Sequence, residues 1–125
     1  MPSPILNEER FHTASYLVSE AQGYRSREQV IIATGSGELK AGAVLGKVTA
    51  SGKYAPLDPD ATDGSEDAAA ILYEPCDATG ADVRRAVTAR DAEVVAELLV
   101  FADGTTDPEK TAALASLAAL GIIAR

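Results

Sequence analysis

The sequence predicts a mainly β domain closed by one C-terminal helix, an α+β fold, and three observations carry that prediction. Between Val30 and Tyr73, short β-branched and aliphatic runs (Val30, Ile31, Ile32; Val44, Leu45; Val48, Thr49; Ile71, Leu72, Tyr73) are cut by glycine-rich turns. Only Asp103 to Gly121 carries both the start and the stop signals of a helix. The apolar content of 46% is rich in alanine, with no Trp and 5% aromatics, so the core is thin in large side chains and an oligomer interface is a natural source of further burial.

Met1 to Arg27 differs from the rest. Pro2 and Pro4 forbid a helical start, and Ile5, Leu6, Phe11, Tyr16, Leu17, Val18 and Tyr24 stand singly among polar residues. Apolar side chains spaced along a polar, extended segment suit a chain that lays itself on another surface, as in strand addition. This pattern predicts a flexible N-terminal arm over residues 1–27 and a domain over 28–125. The plain alternative is a frayed terminus with no role.

Gly35, Ser36 and Gly37 predict a tight reversal after Ile32, and Ala50 to Lys53 a second between Val48 and Tyr54, giving two hairpins. Leu57 to Asp67 is an acidic loop with turn signals at Asp58-Pro59 and Asp63-Gly64. Counted from Asp58 as a calcium loop, the required glycine place falls on Asp63, so Gly64 arrives one residue late, and flanking helices are missing; a solvated turn is the reading. Ala68 to Tyr73 reads as a buried strand ended by Glu74-Pro75, because proline pushes its predecessor out of helical angles and donates nothing to a ladder. Cys76 to Asp82 reads as a polar loop. Val83 to Phe101 partly fits helical spacing, yet its valine content favours two strands joined near Ala89 to Asp91. Thr106 with Glu109 forms a capping-box pattern, Pro108 suits the first turn, and Asp107 is the alternative cap. Ala113, Leu114, Leu117, Ala118 and Leu120 form an apolar stripe; Gly121 suits the left-handed stop, Ile122 packs back on Leu117, and Ile122-Ile123 closes the chain as a short strand.

At 125 residues and 12.9 kDa the chain has room for one domain, burying roughly two-thirds of its unfolded surface. Nineteen acidic residues against eleven Lys and Arg give a net charge of −8, without a basic cluster, which disfavours direct nucleic-acid binding. The lone Cys76 excludes an internal disulfide and the usual multi-cysteine zinc site. No apolar run approaches the ~20 residues of a membrane span, and the N-terminus lacks the order of a signal peptide, so no membrane partner and a soluble, unexported chain are expected.

Candidate chemistry is sparse. His12 is the sole histidine, so a Ser/His/Asp triad has only that base to use. Cys76 sits between Pro75 and Asp77, and a neighbouring carboxylate raises a thiol's pKa, so it reads as structural. Gly35, Gly37, Gly42 and Gly46 match neither a dinucleotide fingerprint nor a P-loop. Lys47 invites comparison with a lipoyl-type carrier lysine but falls within a predicted strand rather than at a hairpin tip.

The succession LKAGAVLGKVTASGKYAPLDP, DGSEDAAAILYEPCDATGAD, RDAEV and LASLAALGIIAR resembles the head decoration proteins of tailed phages, the lambda-type D family, from Val30 to the C-terminus. The pairing of AGAVLG with DG-x₃-AAAILYEP and the terminal GIIAR makes the likeness specific by order. The resemblance implies a small β-clip-like or β-barrel-like domain that forms a homotrimer on the outer capsid surface, at three-fold and quasi-three-fold positions. It implies binding to the major capsid protein after head expansion, stabilisation of the shell against packaged DNA, synthesis in the host cytoplasm and residence in the virion. It implies no enzyme activity, cofactor or metal. The family's N-terminal arm orders against the capsid protein, which agrees with the separate reading of residues 1–27 and makes Ile5, Leu6, Phe11 and Tyr16 the expected capsid contacts. LKAGAVLG also resembles the β-clip or SAF-like element of some carbohydrate-processing and antifreeze-type domains, so an isolated ligand-binding domain is the alternative.

Overall fold

The computed structural model describes residues 13–23 and 25–125. Its strands are β1 (Leu17–Glu20), β2 (Arg27–Ile32), β3 (Glu38–Leu39), β4 (Val44–Lys47), β5 (Tyr54–Pro56), β6 (Ala68–Leu72), β7 (Cys76–Asp77), β8 (Val83–Thr88), β9 (Ala92–Val94) and β10 (Ile122–Ala124). One α-helix, α1 (Asp107–Ala119), follows a 3-10 turn at Ala96–Leu98. Strands β2, β5, β4, β6 and β8 close a barrel in that order; β1, β9 and β10 form a separate sheet with β9 central; β3 and β7 form a two-stranded ribbon. The predicted mainly β fold with one C-terminal helix is therefore observed.

Two cores lie back to back. Val30, Ile32, Leu45, Tyr54, Leu72 and Val87 fill the barrel, while Tyr16, Val44, Ile71, Val94, Leu117 and Ile122 fill the layer between barrel, helix and three-stranded sheet. Side chains alternate across a strand, so β4 and β6 serve both cores: Leu45 and Leu72 point into the barrel, Val44 and Ile71 away from it. A register shift at Gly46, opposite Ala68, sends Ala68 to the outer core although Ala70 lines the inner one. At Gly46 a Cβ would lie 2.4 Å from the Ser65 carbonyl oxygen, so a side chain there would push the acidic loop off the barrel.

The reversal at Ala50 to Lys53 joins β4 to β5 as a hairpin, with Lys47 opposite Tyr54. The hairpin expected around Gly35 to Gly37 does not form. β2 pairs along its whole length with β8, Arg27 opposite Thr88 through Ile32 opposite Val83, and β3 turns away to pair with β7. The reason is burial: a two-residue β3 offers β2 little, whereas six pairs with β8 seat Val30, Ile32 and Val87 together in the barrel. β7 also gives the expected loop at Cys76 to Asp82 a short strand at its start. The two strands expected within Val83 to Phe101 are β8 and β9, but they part after Thr88 into different sheets.

Helix α1 begins as its sequence dictates. Thr106 Oγ1 accepts from the Glu109 N–H at 3.3 Å, and Glu109 Oε1 accepts from the Thr106 N–H at 2.8 Å. Its buried stripe is narrower than expected, with Ala113 and Leu117 buried and Ala118 and Leu120 exposed. Gly121, at φ 84°, turns the chain so that Ile122 is buried with Leu117 and β10 runs parallel to β9.

Candidate functional site at the three-stranded sheet

The chain enters the domain at Ala14, whose N–H donates to the Tyr73 carbonyl at 2.8 Å and whose φ is 59°. A turn closed by Leu17 N–H on the Ala14 carbonyl, at 3.0 Å, then drives Tyr16 inward. Tyr16 has no exposed surface, and its hydroxyl meets Thr88 Oγ1 at 2.5 Å. Burial pushes the phenol well above its ordinary pKa, the Thr88 hydrogen bond only partly opposing this, so it stays a neutral hydroxyl. The Val95 N–H donates to the Tyr16 carbonyl at 2.8 Å, which leads the chain into β1 beside β9.

Polar contacts hold the same segment from the other side. Ser26, fully buried, accepts from the Ala21 N–H at 2.9 Å, donates its hydroxyl to the Asp91 carbonyl at 2.7 Å, and accepts on its carbonyl from the Ala89 N–H at 2.8 Å. Arg27 grips Glu20 with two hydrogen bonds, at 2.9 and 2.6 Å, and lies over the Tyr73 ring at 4.2 Å. From Ala14 onward, the described residues of the segment expected to form the arm are hydrogen-bonded to the rest of the domain. Tyr16 is an anchor in the core rather than an accessible contact residue, because an aromatic ring with a hydroxyl partner gains more there than in water. The other expected contacts, Ile5, Leu6 and Phe11, lie outside the described residues, as do His12 and Tyr24.

The outer face of the sheet is unlike the rest of the surface. Val18 on β1 and Ile123 on β10 are 56% and 40% exposed, and Leu120 nearby is 39% exposed. Between the two strands runs Glu93, opposite both Ser19 and Ile123, which accepts from Ser19 Oγ at 3.0 Å and pairs with Arg125. Arg125 also donates its N–H to the Val94 carbonyl at 2.9 Å, so residues at both ends of the described chain converge on this sheet. Its outer edges on β1 and β10 carry no further strand among the described residues.

The other candidates are dispersed. Cys76 borders a cleft of about 470 Å³ with Leu39, Lys40 and Arg85; burial raises its thiol pKa, Arg85 opposing, which disfavours the thiolate. In the acidic loop, Asp63 is occupied by the Ser65 hydroxyl at 2.6 Å and the Ser65 N–H at 3.0 Å, which hold its carboxyl below the usual range. No group of three or more His, Cys, Asp or Glu side chains suited to a metal occurs among the described residues. Lys47 ends β4, its Nζ 6.0 Å from the Tyr54 ring centre, rather than standing at the turn. Sequence reasoning missed the Ser26 hub and the Glu20–Arg27 pair, whose only trace is a glutamate and an arginine of opposite charge in one polar segment.

No curated protein matches the sequence. The sequence model of one family, described as bacteriophage lambda head decoration protein D, matches residues 6–122 and so extends through most of the segment that resemblance alone leaves uncovered. That family consists of structural capsid proteins of the virion head. With a barrel, a capped C-terminal helix and nearly the whole length matched, the chain belongs to the bacteriophage lambda head decoration protein D family.

Proposed function

We propose that this protein cements a phage head: it binds the outer surface of the expanded shell as a homotrimer at three-fold and quasi-three-fold positions, contacts the major capsid protein, and holds the shell against packaged DNA. The family match over residues 6–122 is the observation that carries this reading. A cement needs no reacting group; it needs to bind the assembled shell more tightly than the free subunits, and that difference is the stabilisation it delivers. Three copies of a weak contact on one trimer give high avidity when all engage together.

The capsid-contacting segment is residues 1–12, containing Ile5, Leu6 and Phe11, upstream of the point where Ala14 anchors the chain beside the three-stranded sheet. Ordering such a segment costs about 1–2 kcal/mol per residue fixed, so extended backbone pairing and the apolar anchors must outweigh that cost. The exposed Val18 and Ile123 extend the apolar contact surface onto the sheet itself.

Deleting residues 1–12 and measuring both the solution mass by light scattering and the occupancy of expanded heads tests this reading. The expected result is a folded protein with a mass near three chains that no longer binds heads. Undiminished binding after deletion overturns the assignment of the segment. A full-length protein that neither trimerises in solution nor arrives on heads as trimers overturns the trimeric cement.

A further inference from the structure

The sequence contains two Asp-Gly pairs, Asp63-Gly64 and Asp103-Gly104, and the structure treats them in opposite ways. We propose that Asp103-Gly104 is a site of spontaneous aspartate isomerisation, while the fold protects Asp63-Gly64 from the same chemistry.

The reaction is an intramolecular one. The amide nitrogen of the following residue attacks the aspartate Cγ, a C–N bond forms, and one carboxyl oxygen leaves as water together with the amide hydrogen, giving a five-membered succinimide. Water then adds to either carbonyl and breaks one of its two C–N bonds, returning aspartate or giving isoaspartate. Nothing is oxidised or reduced, water lost is regained, and the mass is unchanged. Three conditions favour it: a carboxyl free to rotate, an accessible nitrogen not committed to a hydrogen bond, and no Cβ on the next residue to block the approach.

Asp103-Gly104 meets all three. Both residues are exposed, and a Cβ built on Gly104 would meet nothing within 4 Å. Among the described residues, no hydrogen bond is made by the Asp103 carboxylate or the Gly104 N–H. The turn is closed by Thr105, whose N–H and Oγ1 both donate to the Ala102 carbonyl at 3.2 and 2.6 Å, and before it the Val100 N–H donates to the Gly42 carbonyl at 2.9 Å and Phe101 packs on the outer core.

Asp63-Gly64 meets only the last, since Gly64 carries no Cβ, and fails the other two. Ser65 holds the Asp63 carboxylate through two hydrogen bonds, and the Gly64 N–H donates to Glu66 Oε1 at 2.8 Å. The Asp63 carbonyl accepts from the Thr49 N–H at 2.8 Å, and Gly64 is packed so closely that a Cβ would lie 2.3 Å from Thr49 Oγ1. The same two Ser65 bonds favour the ionised carboxylate, the form that sheds its oxygen less readily. An isoaspartate at position 103 would insert a methylene into the main chain just before the Thr106 cap and alter the rim of the cleft that Asp103 shares with Leu39, Pro56 and Phe101.

The test is incubation of the whole protein at neutral pH in heavy-oxygen water, followed by peptide mapping, since each passage through succinimide installs one heavy oxygen. The label is expected at Asp103 at least about tenfold faster than at Asp63, a barrier difference of ~1.4 kcal/mol. In guanidinium chloride the two sites are expected to label at comparable rates, and Asp103→Glu is expected to remove the isoaspartate accepted by an isoaspartyl methyltransferase from this loop. Equal labelling in the folded protein, absence of label at Asp103, or continued protection of Asp63 in denaturant each overturns the proposal.

Discussion

In the barrel each strand has a neighbour on both sides, and β4 and β6 are covered on both faces; in the sheet of β1, β9 and β10 only β9 has two neighbours. The barrel's fill is aliphatic, from Ile32, Leu45, Leu72 and Val87, with Tyr54 at the rim of burial. The sheet is instead pinned from below by Tyr16 and Ile122 and leaves Val18 and Ile123 in solvent above. One region satisfies itself; the other is finished only on its inner side. A protein that must be stable alone and yet bind a shell has reason to divide its surface this way, because burial on one layer costs nothing of the adhesive surface on the other.

The sharpest way to break the comparison is to cut the sheet loose from the barrel. Tyr16→Ala removes a fully buried ring from the outer core and leaves Thr88 Oγ1 without its partner. The expected loss is ~3–5 kcal/mol in denaturant unfolding, typical of a large aromatic removed from a core. If Tyr16 belonged to an accessible arm, the variant would unfold at the midpoint of the unchanged protein. Tyr16→Phe keeps the ring and deletes only the hydroxyl, so a smaller loss of ~1–3 kcal/mol is expected from the stranded Thr88 hydroxyl, read by the same denaturation.

These residues also show what was legible in the chain. Helix α1 could be read because its signals are local: Thr106, Pro108, Glu109 and Gly121 act within a turn of where they stand. The buried strand β6 declared itself by a continuous apolar run. β1 did not, since Leu17–Glu20 has two exposed residues between two half-buried ones and its partner β9 lies far along the chain. The inward turn of Tyr16 depends on Thr88, and Ser26 gives no periodic sign of the backbone groups it satisfies. The turn at Gly35 to Gly37 was visible, but β8 decides what β2 pairs with, and no local pattern reports that competition.

A smaller effect separates the two layers in acid. The hydrogen bond from Arg125, then that from Ser19, hold the Glu93 carboxyl below its ordinary range, across the middle of the sheet. A depressed folded-state pKa means that the unfolded chain takes up a proton first, so this contribution is present at neutral pH and is lost as pH falls through and below the ordinary carboxylate pKa of about 4. Because the pair is exposed, the loss is modest. Glu93→Gln is expected to lower the neutral plateau by that modest amount and leave the acid end nearly unchanged, which flattens the acid limb; an unchanged acid limb would show that Arg125 does not tie the C-terminal strand to β9 through this charge.

The smallest effect on stability is the one that decides what the open face is for. Val18→Ser and Ile123→Thr change side chains already in solvent, so each is expected to move unfolding by no more than about 0.5 kcal/mol. On expanded heads the same pair is expected to reduce occupancy, because apolar surface that gains nothing in the free protein gains only when a partner covers it. A double variant that is equally stable and binds heads as well as the unchanged protein would place the capsid contact wholly in residues 1–12 and make the exposed valine and isoleucine incidental. One that loses stability strongly would mean that the face is already covered in the free protein, by another copy of the chain, and that the two layers differ in partner rather than in completeness.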